Sequence, residues 1–157
     1  MSNIEHLQDN IIKSLQSLSE LEEIFAKIID FFPYPIQVYA LDGISVLVNR
    51  AILEEYHVAD PNMVIGKYNI FKDPYIIAQS QMDKVRKAFE GKKVFFTDIK
   101  VPLEDIADRY GVRDLDVVAA YQDITLFPIL NDKKQVIYVV AIMINRRGYR
   151  GKTEIEK

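Results

Sequence analysis

Residues 35–58 read P-I-Q-V-Y-A-L-D-G-I-S-V-L-V-N-R-A-I-L-E-E-Y-H-V, and residues 64–74 read V-I-G-K-Y-N-I-F-K-D-P. An apolar run over 36–41 meets Asp42-Gly43, and a second run over 44–49 follows. Asp-Gly between two β-prone runs signals a tight hairpin, because glycine accepts the positive φ that such turns demand. A short helix is expected over 50–56 and a turn at Asp60-Pro61-Asn62. Residues 64–71 read as turn and short helix, which Asp73-Pro74 is expected to break.

Downstream, residues 79–90 read as a longer helix, with Met82, Val85 and Phe89 on one face and Gly91 as its stop. A strand over 94–101 ends at Pro102. Residues 103–110, with Gly111 after them, form a small inserted helix. A long strand region over 116–130, containing Ala119, Tyr121, Ile124, Leu126 and Phe127, turns through 131–134 into a last strand over 135–145. In that strand Val136, Tyr138, Val140, Ile142 and Ile144 face one way and Ile137, Val139, Ala141 and Met143 the other, because side chains alternate. Both sets are apolar, so the sheet is expected to be covered on both faces. The central helices can cover one face. The N-terminal helix, with or without a partner chain, is the natural cover for the other.

Upstream, residues 1–32 read as helix. Ile4, Ile11, Leu18, Phe25 and Phe32 recur every seventh residue, and Leu7, Ser14, Leu21 and Ile28 fill the second seam position. Ile12, Leu15 and Ile29 widen the apolar face, as suits a helix that touches both a sheet and a partner. The expected dimer interface is Ile4, Leu7, Ile11, Leu18, Leu21 and Phe25. Ser17 and Ser19 precede Glu20 and Glu22 at capping-box spacing, so a break and restart is expected near there. Pro33 and Pro35 stop the helix.

The 157 residues suit one domain with an extra element, and 49% apolar and 27% charged residues are ordinary for a globular chain. A net charge of −3 gives no sign of a nucleic-acid surface. Cysteine is absent, which excludes disulfides, thiolate catalysis and cysteine zinc sites. His6 and His57 are the only histidines and read as solvated. The acidic pairs Glu104/Asp108, Asp105/Asp108 and Asp114/Asp116 could do acid–base work or hold a hard cation, but they read as solvated helix or loop faces. No apolar run reaches the ~20 residues of a membrane helix, and the N-terminus lacks signal-peptide features. A cytoplasmic protein that is not an enzyme is expected.

The order helix, two strands, short helices, longer helix, three strands resembles a PAS sensor domain. The resemblance covers 33–147 and rests on Asp42-Gly43, Asn49 closing the second strand, Ile65-Gly66-Lys67 and the closing hairpin. It implies an α+β fold: a PAS-like five-stranded antiparallel sheet, short helices on one face and the N-terminal amphipathic helix on the other. The expected division is a dimerisation helix at 1–32, a sensor domain at 33–147 and a linker at 148–157 to a missing output domain. Thr153 and Glu156 look like a capping box opening a new helix. K-Y-N-I-F-K-D-P (67–74) and R-R-G-Y-R-G-K (146–152) resemble PAS modules ahead of DNA-binding domains in bacterial transcription regulators, including the AraC type.

That resemblance implies a ligand-sensing and dimerisation module, a homodimer that regulates an attached DNA-binding output and reaches nucleic acid only through it. The alternatives are the sensor of a histidine kinase or a ligand-free interaction module; a small carboxylate enzyme is disfavoured. Flavin light sensors of the family use a reactive cysteine, which is absent. Haem-binding members use a histidine on the longer central helix, and 79–90 has none; Met82 there reads as core packing. No cofactor is therefore expected, and an unidentified small molecule would occupy the space between sheet and helices. Its candidate wall is Tyr39, Tyr68, Asn69, Phe71, Met82, Phe89, Phe96 and Tyr121, aromatic bodies with a few polar anchors.

Overall fold

The computed structural model describes residues 3–111 and 117–149. Its elements are α1 (Asn3–Phe31), β1 (Ile36–Tyr39), β2 (Ser45–Val48), α2 (Arg50–Glu55), α3 (Pro74–Ala78), α4 (Met82–Phe89), β3 (Val94–Lys100), α5 (Leu103–Tyr110), β4 (Val117–Leu130) and β5 (Val136–Tyr149). Two 3₁₀ turns, Pro61–Met63 and Ile70–Lys72, lie between α2 and α3. The strands form one five-stranded sheet in the order β2-β1-β5-β4-β3, and every pairing is antiparallel. The first and last strands are therefore neighbours in the middle of the sheet. Among the described residues no helix is long and apolar enough to cross a membrane.

The hairpin at Asp42-Gly43 forms as its sequence requires. Gly43 adopts φ +85°, and the Asp42 carboxylate accepts from the Ile44 amide at 3.0 Å. A Cβ on Gly43 would stand 2.5 Å from Phe71 Cδ2 and 2.6 Å from Asn69 Oδ1. Gly43→Ala combines a disfavoured backbone conformation with this overlap, and is expected to cost about 2–4 kcal/mol in urea unfolding. A loss below about 0.5 kcal/mol would mean that the turn yields freely.

One face of the sheet carries the core. Tyr39, Phe96, Leu126, Val139, Ala141 and Met143 point inward and pack with Ile52, Ile70, Val85 and Ala88 from the intervening segments. The register places inward residues opposite one another, Tyr39 with Val139 and Leu126 with Ala141. The alternation read in the last strand holds from Tyr138 to Ile144, but at the strand's start, where the register shifts, Val136 packs against the core and Ile137 is exposed; β5 runs past Asn145 to Tyr149.

Several local expectations change. α1 is continuous through Ser17 and Ser19: with no proline or glycine between Asn3 and Phe31, nothing interrupts its hydrogen-bond ladder. Asp73-Pro74 starts a helix rather than ending one. The Asp73 carboxylate accepts from the amides of Tyr75 and Ile76, and Pro74 takes the first helical position, where its missing N–H is no loss. The longer helix begins only at Met82, because Gln79 caps α3 and Ser80 turns with φ +55°.

The outer face departs from expectation most. No residue of α1 is buried, so the helix does not cover that face within one chain. Its last turn is held by Asn49. This fully buried side chain donates through Nδ2 to the carbonyls of Ile29, Phe32 and Tyr34 at 3.0–3.4 Å, and accepts through Oδ1 from the amides of Ile36 and Ile52. Arg50 adds an ion pair to Asp30 at 2.9 Å and sits 4.0 Å over the Phe31 ring. Fixed at this end, α1 buries none of its residues against the sheet. Tyr138 and Ile144 on the outer face of β5 are left exposed, as is Phe95 on β3. The tail from residue 150, with the Thr153/Glu156 motif, and the Asp114/Asp116 pair lie outside the described residues.

Candidate functional site

Between the inner face and the helices lies a cavity of about 380 Å³. That is within the range of small-molecule sites. Its floor is the sheet: Gln37 and Tyr39 from β1, Phe96 from β3, Gln122, Ile124 and Leu126 from β4, Ala141 and Met143 from β5. Its roof comes from α2 and the segment between α2 and α4, including Ile52, Tyr56, Tyr68 and Asp73. The inserted helix α5 closes one side with Ile106, Arg109 and Tyr110; Gly111 ends it in the left-handed conformation that lets the chain turn away.

The polar groups of the cavity are wired to one another. The Tyr39 hydroxyl donates to Gln37 Oε1 at 3.0 Å, and the Tyr56 hydroxyl donates to Gln122 Oε1 at 3.0 Å. The Tyr68 hydroxyl donates to Asp73 Oδ2 at 2.5 Å. The Arg109 guanidinium lies 3.9 Å from the same oxygen and 5.3 Å from the centre of the Tyr68 ring. Burial pushes the Tyr39 phenol far above its ordinary range, and the Asp73 charge adds to this. Burial does the same to Tyr68, with Tyr39 and Asp73 reinforcing it and Arg109 opposing. Both phenols are thus neutral hydrogen-bond donors. Among the described residues no three or more His, Cys, Asp or Glu side chains gather as a metal set.

Of the residues read from the sequence as wall, Tyr39, Tyr68 and Phe96 line the cavity. Asn69 does not: its side chain accepts from the Phe71 amide at 3.0 Å and caps a 3₁₀ turn. The Phe71 and Phe89 rings meet at a tilt of 54° with centres 4.6 Å apart, and with Met82 they pack against the core behind the wall. Tyr121 lies on the outer face opposite Arg146, because its neighbour Gln122 is the one that points inward. Sequence reasoning missed Gln37, Tyr56, Asp73, Arg109 and Gln122. For the two glutamines a signal existed: each shares strand parity with inward apolar residues, Gln37 with Tyr39 and Gln122 with Ile124 and Leu126. The expected interface residues Ile4, Leu7, Ile11, Leu18, Leu21 and Phe25 all lie exposed on α1.

No family model and no curated protein matches the chain. Solved structures do match in shape. The PAS domain of an HTR-like protein from Haloarcula marismortui is similar over 85% of this chain and 98% of its own, with a TM-score of 0.56 at 18% identity. The PAS domain of BvgS from Bordetella pertussis is similar over 85% and 89%, with a TM-score of 0.55 at 20% identity. The VqmA dimer of Vibrio cholerae, described as a LuxR-type receptor, is similar over 80% of this chain and 50% of its own, with a TM-score of 0.57 at 18% identity. Together with the strand order and the helices gathered over one face, these likenesses establish that the chain has the PAS fold.

Proposed function

We propose that this chain is a ligand-sensing and dimerisation module that regulates an attached DNA-binding output domain. The observation that carries the reading is the cavity: about 380 Å³ of space with apolar walls and a few oriented polar groups, in the middle of a domain this small. The exposed stripe of α1 supports the dimer. Its large apolar side chains from Ile4 to Ile28 stand between 47% and 67% exposed, a patch of the kind that marks an interaction site. The DNA-binding output is supported by the resemblance of 67–74 and 146–152 to PAS modules of transcription regulators. Among the structural neighbours, VqmA is described both with bound DPO and in relation to target DNA. The ligand is a dissociable small molecule rather than a flavin adduct or a His-ligated haem, and no reaction is assigned to the cavity. We place the protein in the cytoplasm.

Native mass spectrometry of freshly purified protein tests this. One small molecule is expected to remain bound to each chain and to leave on denaturation. At a hundredfold excess over Kd such a ligand stabilises by about 2.7 kcal/mol, a Tm rise of roughly 5–10 °C for a domain of this size. Ala141 is buried on the floor of the cavity. Ala141→Phe fills the space and is expected to abolish both the bound mass and the Tm rise while keeping the far-UV dichroism. If neither the native protein nor protein incubated with cell extract carries a molecule, a ligand-free interaction module is the better account.

A further inference from the structure

The donors that face the cavity define what it takes, an inference that rests on the sensing reading above. Gln37 and Gln122 are each 8% exposed, and both line the cavity. Each carboxamide is turned by a tyrosine hydroxyl that donates to its oxygen, Tyr39 to Gln37 and Tyr56 to Gln122. The oxygen being engaged, the amide nitrogen is the end left over. Neither nitrogen has an acceptor among the described protein groups. A donor that faces the cavity without a protein partner gains a hydrogen bond when a ligand supplies the acceptor.

The two glutamines are far apart. Gln37 lies opposite Ala141 on one flank of β5, and Gln122 lies opposite Asn145 on the other. Four residues of strand, about 13 Å, separate these levels. The lining between them, Tyr39, Phe96, Leu126, Ala141 and Met143, is mostly apolar. Inside the cavity charge is balanced within the protein, Asp73 by Arg109; at the rim Asp98 has Arg146, and Lys100 lies there exposed to solvent. Deeper in, the polar groups are amides and neutral phenols. An ion placed there would lose its hydration with no free countercharge to replace it.

We propose that the cavity binds an elongated, neutral, largely apolar molecule with a carbonyl-type acceptor near each end, one received by the Gln37 amide and the other by the Gln122 amide. Ketones, esters, lactones and tertiary amides have this chemistry; carboxylates and amines do not.

Four para-disubstituted benzenes of matched size test it: 1,4-diacetylbenzene, terephthalate, 1,4-bis(aminomethyl)benzene and 1,4-diethylbenzene. Each is titrated into the ¹⁵N-labelled chain, and the side-chain NH₂ resonances of Gln37 and Gln122 are followed. 1,4-Diacetylbenzene is expected to bind tightest and to shift both pairs. Gln37→Met and Gln122→Met, which keep the length of the side chain without its donor, are each expected to weaken it by about fivefold or more. Tighter binding of terephthalate or the diamine overturns the assignment and leaves sensing intact. So does binding of the diketone that moves other cavity resonances but neither glutamine, or that survives both methionine substitutions unweakened. If none of the four probes moves any cavity resonance at millimolar concentration, the cavity is closed core and the sensing reading falls with this one.

Discussion

Asn49→Asp is expected to lower the unfolding free energy by about 3–5 kcal/mol, because it sets a carboxylate against three carbonyl oxygens in a buried site. The wild-type amide serves both sides of its pocket. Its Oδ1 holds the amides of Ile36 and Ile52, and its Nδ2 holds the carbonyls of Ile29, Phe32 and Tyr34. Aspartate keeps the first set and turns the second into repulsion. Asn49→Ala removes both; the Ile52 amide and the Ile29 carbonyl keep backbone partners, but the Ile36 amide and the carbonyls of Phe32 and Tyr34 lose theirs, and about 3 kcal/mol is expected, since each buried unmet group costs about 1–3 kcal/mol and some recruit water. Urea unfolding gives the stability, and limited proteolysis between α1 and β1 gives the coupling, which should loosen in both variants. A loss under about 1 kcal/mol for the aspartate variant would show that the site relaxes or hydrates, and that Asn49 does not hold the helix to the domain.

Replacing Leu18 and Leu21 together with Asp is expected to convert a dimer to a monomer. The two positions lie three residues apart on the seam of α1 and stand 57% and 47% exposed in the single chain. A parallel pairing would bury them in both chains, and each such side chain contributes about 1.5–3 kcal/mol. Four of them amount to about 6–12 kcal/mol, enough to move a micromolar dimer beyond any concentration used in sedimentation. The sheet should be untouched, since α1 buries no residue of its own; near-UV dichroism is expected to stay the same. If the parent chain sediments as a monomer at high micromolar concentration, α1 is not a dimer seam, and its apolar stripe needs another partner.

The elements that could be read in the sequence are those fixed by short-range chemistry. Asp42-Gly43 makes its hairpin from two residues, and Gly111 ends α5 by its own conformation. The two-sided apolar pattern of β5 announces a central strand. Where reading failed, the deciding contact was distant or ambiguous. Asp73-Pro74 carries both a stop and a start signal, and only the carboxylate bonds to Tyr75 and Ile76 choose the start. The destination of α1 was set by the Asn49 side chain, a contact that spans up to 20 residues and leaves no local trace. At the cavity, strand parity outweighs residue type: Tyr121 is aromatic but faces out, and Gln122, in parity with Leu126, is the one inside. Arg109 could not be read at all, because only the folded path of α5 brings it to Asp73.

α1 has 29 residues and is anchored at its last turn. At 1.5 Å per residue it is about 43 Å long, which makes it a lever with its fulcrum at Asn49. A tilt of about 5° at the base sweeps the far tip through roughly 4 Å, so a displacement too small to disturb the core would become one the size of a side chain where the lever ends. The same anchor bonds the amide of Ile36, the first residue of β1, whose next residue is Gln37 in the cavity. The short arm of the lever thus begins one peptide unit from the cavity floor, and gain along this helix is built into the geometry of a single side chain.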